Sequence, residues 1–203
     1  MGIYEKDLLP KFLNLAMKAP AMKKLRERLV PLAQGQVLEI GIGSGLNLPF
    51  YDKSARITGL DPSLELQAYA REIAKKEGMN VDFVGLSGEE IPADNKSFDS
   101  VVMTWTLCTI PNPERALSEI KRVLKPGGKF IFAEHGEAPD INIARWQARI
   151  NPIWNVIAGG CNLNRKIELL YENAGLKFET IEKGYIEGPK IATFNYRGIA
   201  KFD

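Results

Sequence analysis

The chain has 203 residues, a net charge of +2, 45% hydrophobic and 26% charged residues, an ordinary globular balance with length for one domain around one core. The near-neutral charge, without a long basic stripe interleaved with aromatics, argues against a nucleic-acid partner, and no apolar run is long enough for a transmembrane helix. One histidine and two cysteines without framework spacing argue against a metal site or a disulfide scaffold, so both thiols are expected to be free in a reducing, cytoplasmic setting.

Residues 1–30 carry seven lysines and arginines against three acids, interleaved with Leu8, Leu9, Phe12, Leu13, Leu15, Met17, Met22, Leu25 and Leu29. This reads as one or two amphipathic helices split near Pro20. Lys6, Asp7, Pro10 and Lys11 interrupt the first apolar run, so it is not a signal peptide. Segment 1–34 is expected to pack on the domain as a lid over a ligand site, or to contact a membrane surface through residues 1–30.

The apolar run Val37-Leu38-Glu39-Ile40 then enters Gly41-Ile42-Gly43-Ser44-Gly45, and Asp61 follows 20 positions after Gly41. A strand, a glycine turn and an acid at the end of the next strand is how an open α/β sheet holds a nucleoside-containing cofactor. Position 46 is Leu, so the dinucleotide pattern G-x-G-x-x-G is not met, and no P-loop occurs. Glu39 would repel a pyrophosphate and suits a cationic ligand with a free amino group.

A short helix is expected over 46–51, a strand over 56–60, and a helix over 64–76 capped by Asp61-Pro62-Ser63 and stopped by Gly78. Strands follow at 81–84 and 97–105, the latter apolar like a buried parallel strand. A helix over 113–124 places Ala116, Leu117, Ile120 and Leu124 on one face, and Lys125-Pro126-Gly127-Gly128 ends it before a strand over 129–135. Helices over 141–159, with Trp146, Trp154 and a kink at Pro152, and over 163–174, stopped by Gly175, precede strands at 177–186 and 192–201. The turn 187–190 joins these last strands in a hairpin, so one runs antiparallel to its neighbours. The alternation predicts an α/β fold with a parallel sheet and right-handed crossovers, and without repeat or linker 1–203 is one domain.

Four stretches together resemble the class I methyltransferases that use S-adenosylmethionine. They are E-x-G-x-G-x-G at 39–45, Leu60-Asp61-Pro62, Gly88-Glu89-Glu90-Ile91-Pro92 with Ser97-Phe98-Asp99, and Arg122-Val123-Leu124-Lys125-Pro126-Gly127-Gly128. The resemblance implies a Rossmann-like, doubly wound, seven-stranded, mostly parallel sheet with an antiparallel last strand. It implies that Glu39 orients the methionine end, that Gly41, Gly43 and Gly45 let the backbone approach the cofactor, and that Asp61, followed by Pro62, holds the ribose. Gly88 and Glu89 would meet the adenine, and Thr104 to Leu107 would line the sulfonium and the substrate mouth. Many relatives carry Asp where this chain has Ser87.

Leu107-Cys108-Thr109-Ile110, Ala133-Glu134-His135 and Gly160-Cys161-Asn162-Leu163-Asn164-Arg165 look like the methyltransferase-like seven subfamily, associated with methylation of alkyl thiols. That subfamily's membrane anchor is not matched; the basic amphipathic segment stands in its place. Gly45-Leu46-Asn47-Leu48-Pro49 is similar to bacterial phospholipid N-methyltransferases.

The expected reaction is in-line methyl transfer to a small apolar nucleophile such as a thiol, where alignment and water exclusion do most of the work. The alternatives are methylation of phosphatidylethanolamine at a membrane surface, and cofactor binding without transfer. His135 is the one side chain whose ordinary pKa suits proton removal near neutrality, and it ends the fifth strand, where ligands bind in open sheets. It is the catalytic candidate, or else a histidine that fixes the next loop. Glu134 faces the other side and is the alternative. Tyr4, Trp105, Cys108, Trp154, Cys161 and Asn162 are candidate acceptor-site residues; the cysteines and tryptophans would otherwise be core.

Overall fold

A computed structural model describes residues 9–202. Two helices open it, α1 (Leu9–Ala16) and α2 (Pro20–Leu29), broken where Pro20 takes the first helical position. Strand β1 (Gln36–Ile40) follows, then β2 (Arg56–Leu60), α3 (Leu64–Glu77), β3 (Val81–Val84), β4 (Phe98–Thr104), α4 (Pro113–Val123) and β5 (Leu124–His135). Helices α5 (Ile141–Ile157) and α6 (Ile167–Asn173), strand β6 (Leu176–Tyr185), the short α7 (Lys190–Thr193) and β7 (Phe194–Phe202) complete it.

The seven strands form one sheet in the order β3-β2-β1-β4-β5-β7-β6. The first five are mutually parallel, and β7 runs antiparallel to both β5 and β6. Helix ends follow the sequence signals. Ser63 caps α3 through Leu66 N, Gly78 ends it at φ +64°, and Asn112 caps α4 through Arg115 N. Helix α6 starts four residues later than expected and α7 occupies the start of the expected last strand, but the largest difference is at β5. β5 starts at Leu124, directly after α4, because Leu124 already pairs with Phe98; the register then slips between Phe98 and Ser100, which lets Pro126-Gly127-Gly128 sit inside the strand.

Alternate residues of the central strands feed two cores, as the period of a strand requires. Leu38, Val101, Met103, Phe130 and Phe132 meet Leu117 and Ile120 of α4 and Tyr171 of α6. Val37, Val102 and Ile131 meet Leu25 and Leu29 of α2 and Ala70 and Ala74 of α3. From β1 the chain winds outward through β2 and β3, then returns to β4 on the other side of β1. Side connections therefore diverge at the carboxyl ends of β1 and β4, where the sheet leaves a crevice.

Candidate active site

The turn after β1 divides its glycines among three tasks. Gly41 sits at φ +72°, and a Cβ there would lie 2.1 Å from Thr106 Oγ1, so glycine is what lets the β4 loop close on the turn. Gly43 has no neighbour nearer than 3.9 Å to its missing Cβ and faces the crevice; its N–H donates to Asp61 Oδ2 at 2.9 Å. Gly45 packs on α3, where a Cβ would stand 2.8 Å from Ala70 Cα.

Asp61 is buried at the end of β2. Its Oδ1 accepts from Ser63 N at 2.8 Å; burial raises its carboxyl above the usual range, and the Ser63 and Gly43 amides oppose this. Each oxygen keeps a lone pair for a ribose hydroxyl. Gln67 donates to the carbonyls of Asp61 and Val84, holding the ends of β2 and β3 level.

Glu39 is 1% exposed. Asn47 donates to its Oε1 at 2.9 Å and Tyr51 to its Oε2 at 2.8 Å, while Asn47 also reaches Thr104 Oγ1. Burial pushes the carboxyl up to about 8, against the pull of the Tyr51 and Asn47 hydrogen bonds.

The crevice is a cavity of about 330 Å³. Asp61, Pro62 and Leu86 to Gly88 form one end, Gly41 and Gly43 the floor, Thr104 to Thr106 the far wall, and Leu9, Leu13 and Met17 of α1 and its exit the roof. A smaller cavity of about 60 Å³ shares Gly41, Gly43 and Thr104 and is bounded by Glu39, Asn47 and Arg26. An acid with lone pairs free at one end and a buried acid at the other match a nucleoside joined to an amine, as S-adenosylmethionine is. Trp105, on the wall, is held at φ +50° with its indole N–H on Asn195 Oδ1 at 2.8 Å, a strained backbone of the kind found at working sites.

Beside this wall the two cysteines and the histidine meet. Their ligand-type atoms lie within 4.8 Å of one another. His135 Nε2 is 3.0 Å from Cys161 Sγ, which also accepts from the Trp154 indole at 3.3 Å. The Cys108 thiol, then His135 and Trp154, hold the Cys161 thiol well below the ordinary range despite burial. Cys108 is pushed up by its hydrogen bond to Cys161 and by burial. Burial alone would lower His135, but the Cys161 contact outweighs it and raises the imidazole. Cys161 and His135 thus form a hydrogen-bonded pair in which each favours the charged form of the other. These residue types also suit a soft metal ion; His135 Nε2 and Cys161 Sγ hydrogen-bond to one another, while His135 Nδ1 is buried without a partner. Asn162 donates twice to Cys108 O, and Arg165 donates to the carbonyls of Leu107 and Ile110, clamping the β4 loop to the segment after α5.

Comparison with known proteins agrees. The methyltransferase domain family matches residues 38–132. The human protein named thiol S-methyltransferase TMT1A is 34% identical over 85% of this chain and 71% of its own. The class I methyltransferase family is therefore shown: the chain is a member of it. A phosphatidylethanolamine N-methyltransferase of Cereibacter sphaeroides is 36% identical over 50% of this chain and 51% of its own. Among solved structures, an S-adenosylmethionine-dependent methyltransferase of Thermotoga maritima shares the fold, with TM-score 0.69 and 22% identity over 98% of this chain and 96% of that one.

In this methyltransferase the residues expected from sequence fall into three groups. Gly41, Gly43, Asp61, Pro62, Gly88, Thr104 and Trp105 line the main cavity, and Glu39 lines the small one. His135, Cys108, Trp154, Cys161 and Asn162 do not; their chain neighbours Thr109 and Gly159 do. Leu107 is fully buried in the core, and Glu89 accepts from Asn112 N at 2.9 Å, fixing its loop. Glu134 is fully buried, accepts from Thr106 N and Leu107 N, and holds the β4 loop; burial pushes it up to about 7. Tyr4 lies outside the described residues. Tyr51 and Arg26 had no motif to announce them, and Asn47 stood in the Gly45–Pro49 stretch without an assigned role.

Glu39 gives a stability prediction with a definite sign. A free glutamate titrates near 4.3 and folded Glu39 at about 8, so across that window the folded state keeps a proton that the unfolded chain has lost. Stability then falls as pH rises. Glu134 contributes the same way up to about 7, and His135, raised above the ordinary imidazole range, adds to the loss above it, so the substitution at Glu39 isolates its share. Glu39→Gln is expected to raise the melting temperature of the ligand-free enzyme at pH 8, by up to a few kcal/mol of stability, and to weaken S-adenosylmethionine binding. Thermal melts at pH 5 and 8 check it; a variant less stable than wild type at pH 8 contradicts it.

Proposed function

We propose that the enzyme methylates the sulfur of a small apolar thiol. The observation that carries this is the Cys161–His135 pair, a buried proton acceptor set against the wall of a largely apolar cavity. The thiol S-methyltransferase relatives support it. Bound S-adenosylmethionine would supply an electrophilic methyl group, with Asp61 holding the ribose and Glu39 the amino group. Thr104 and Trp105 align the acceptor, and α1 closes the roof and excludes water. The acceptor thiol needs to lose a proton, a step of only about a pK unit or two near neutrality. The proton passes to the His135–Cys161 pair, with His135, whose ordinary pKa lies near neutrality, as the base. Leu9 of α1 packs closely on Gly159 at the cavity wall; a Cβ there would stand 3.0 Å from the leucine.

Incubation with S-adenosylmethionine and a panel of alkyl and aryl thiols should give methyl thioethers by mass spectrometry. A protein that binds the cofactor and yields no thioether contradicts the reading.

A second reading, phosphatidylethanolamine N-methylation at a membrane surface, has its own observation. Phe12 and Leu15 on α1 and Trp146, Ile153 and Val156 on α5 are exposed large apolar side chains, and α5 carries Arg145 and Arg149 without an acid. No helix among the described residues is long and apolar enough to cross a membrane, so contact would be with the interface. The enzyme should then float with anionic vesicles and lose this when Lys11, Lys18, Arg145 and Arg149 become glutamine. Sedimentation without the vesicles counts against a membrane role.

A further inference from the structure

Arg26 of α2 is a buried cation that nothing described so far requires. It is 4% exposed, its guanidinium carbon lies 4.8 Å above the Trp105 ring, and Nη1 donates to Met17 O at 2.8 Å. Its Nε is buried without a hydrogen-bond partner. Among the described ion pairs Arg26 takes part in none, although Glu39 shares the walls of its cavity. Both oxygens of Glu39 already accept, from Asn47 and Tyr51. A planar cation with a free buried donor is costly unless an anion meets it, and guanidinium geometry fits a carboxylate.

The small cavity supplies the place. Arg26 and Glu39 bound it, and it joins the main cavity along Gly41, Gly43 and Thr104. An acid and a base at one pocket end, beyond the ribose-reading Asp61, complement a zwitterion. We propose that Arg26 binds the α-carboxylate of the cofactor's methionine moiety while Glu39 takes its amino group. This assigns the cofactor's charged end to the first 30 residues of the chain as well as to the sheet. Met17, whose carbonyl Arg26 holds, lines both cavities, so the contact ties the roof to the cofactor.

The test compares S-adenosylmethionine with its decarboxylated form by isothermal titration, on wild type, Arg26→Lys and Arg26→Met. Wild type should bind the carboxylate-bearing ligand more tightly by roughly 30-fold or more, the size of effect seen when one partner of a buried charge pair is removed. Arg26→Met should weaken S-adenosylmethionine by a similar factor and leave the decarboxylated ligand unchanged or tighter, collapsing the preference. Arg26→Lys, which keeps the charge but not the fork, should fall between. If wild type binds both ligands equally, the assignment is wrong, whatever the variants do. Equal weakening of both ligands in the variants means that Arg26 only packs α2 on Trp105, and also overturns it. Binding of S-adenosylmethionine to wild type keeps the cofactor reading separate from either result.

Discussion

Gly41→Ala is expected to weaken S-adenosylmethionine binding by at least about a hundredfold, or about 3 kcal/mol. The new Cβ would lie 2.1 Å from Thr106 Oγ1, 2.4 Å from its Cγ2 and 2.8 Å from its Cβ, so no rotation of the threonine clears it. Thr106 is itself held, its N–H by Glu134 at 3.0 Å and its hydroxyl by Thr104 O at 3.1 Å. The turn and the β4 loop must separate, and they are two walls of the cavity. Gly127→Ala is the control. Gly127 has φ +75°, close to the +72° of Gly41, but nothing lies within 4 Å of its missing Cβ. It should show backbone strain alone, about 1 kcal/mol of stability, with cofactor affinity unchanged. Melting curves and titration of both variants check the pair. Similar behaviour of the two would mean that the contact with Thr106 does not shape the site.

His135→Ala is expected to lower kcat for a thiol acceptor by roughly a hundredfold to a thousandfold, the range for general-base groups, with the cofactor Kd nearly unchanged. Cys161→Ala should cost about as much, and the double variant little more, because the two act as one proton acceptor. The pH profile separates catalysis from mere support. The Cys161 contact raises His135 above the ordinary imidazole range, so wild type should lose its base as pH falls through neutrality. Wild-type rates should therefore level off above neutrality and fall in acid. Without His135 the rate should follow the acceptor's own thiolate fraction, about tenfold per pH unit below its pKa near 8.5. A variant profile parallel to wild type would make His135 a loop-fixing residue.

The parts of this molecule that repeat or punctuate were legible in the sequence. The glycine turn, the acid after β2, the Ser63 cap and the closing hairpin depend on local chemistry, and most elements fall within a few residues of expectation. Long-range convergence was not legible. Cys108, His135 and Cys161 come from the β4 loop, the end of β5 and the loop after α5, and only the sheet order brings them together. Arg26 looked like one of several basic residues on an amphipathic helix; its burial follows from Leu25 and Leu29 packing on the sheet face. Glu89, expected at the adenine, sits beside cavity-lining Gly88 and accepts from Asn112 N and the Ser87 hydroxyl.

The central claim is that this methyltransferase acts on sulfur. Its most direct test is a single assay in which radiolabelled methyl from S-adenosylmethionine is offered at once to an alkyl thiol and to phosphatidylethanolamine in anionic vesicles. Label in the thiol, lost in the His135→Ala enzyme, is the result this account predicts. Label in the lipid, with the thiol unlabelled, would contradict it and make the exposed faces of α1 and α5 the device that brings the enzyme to its substrate.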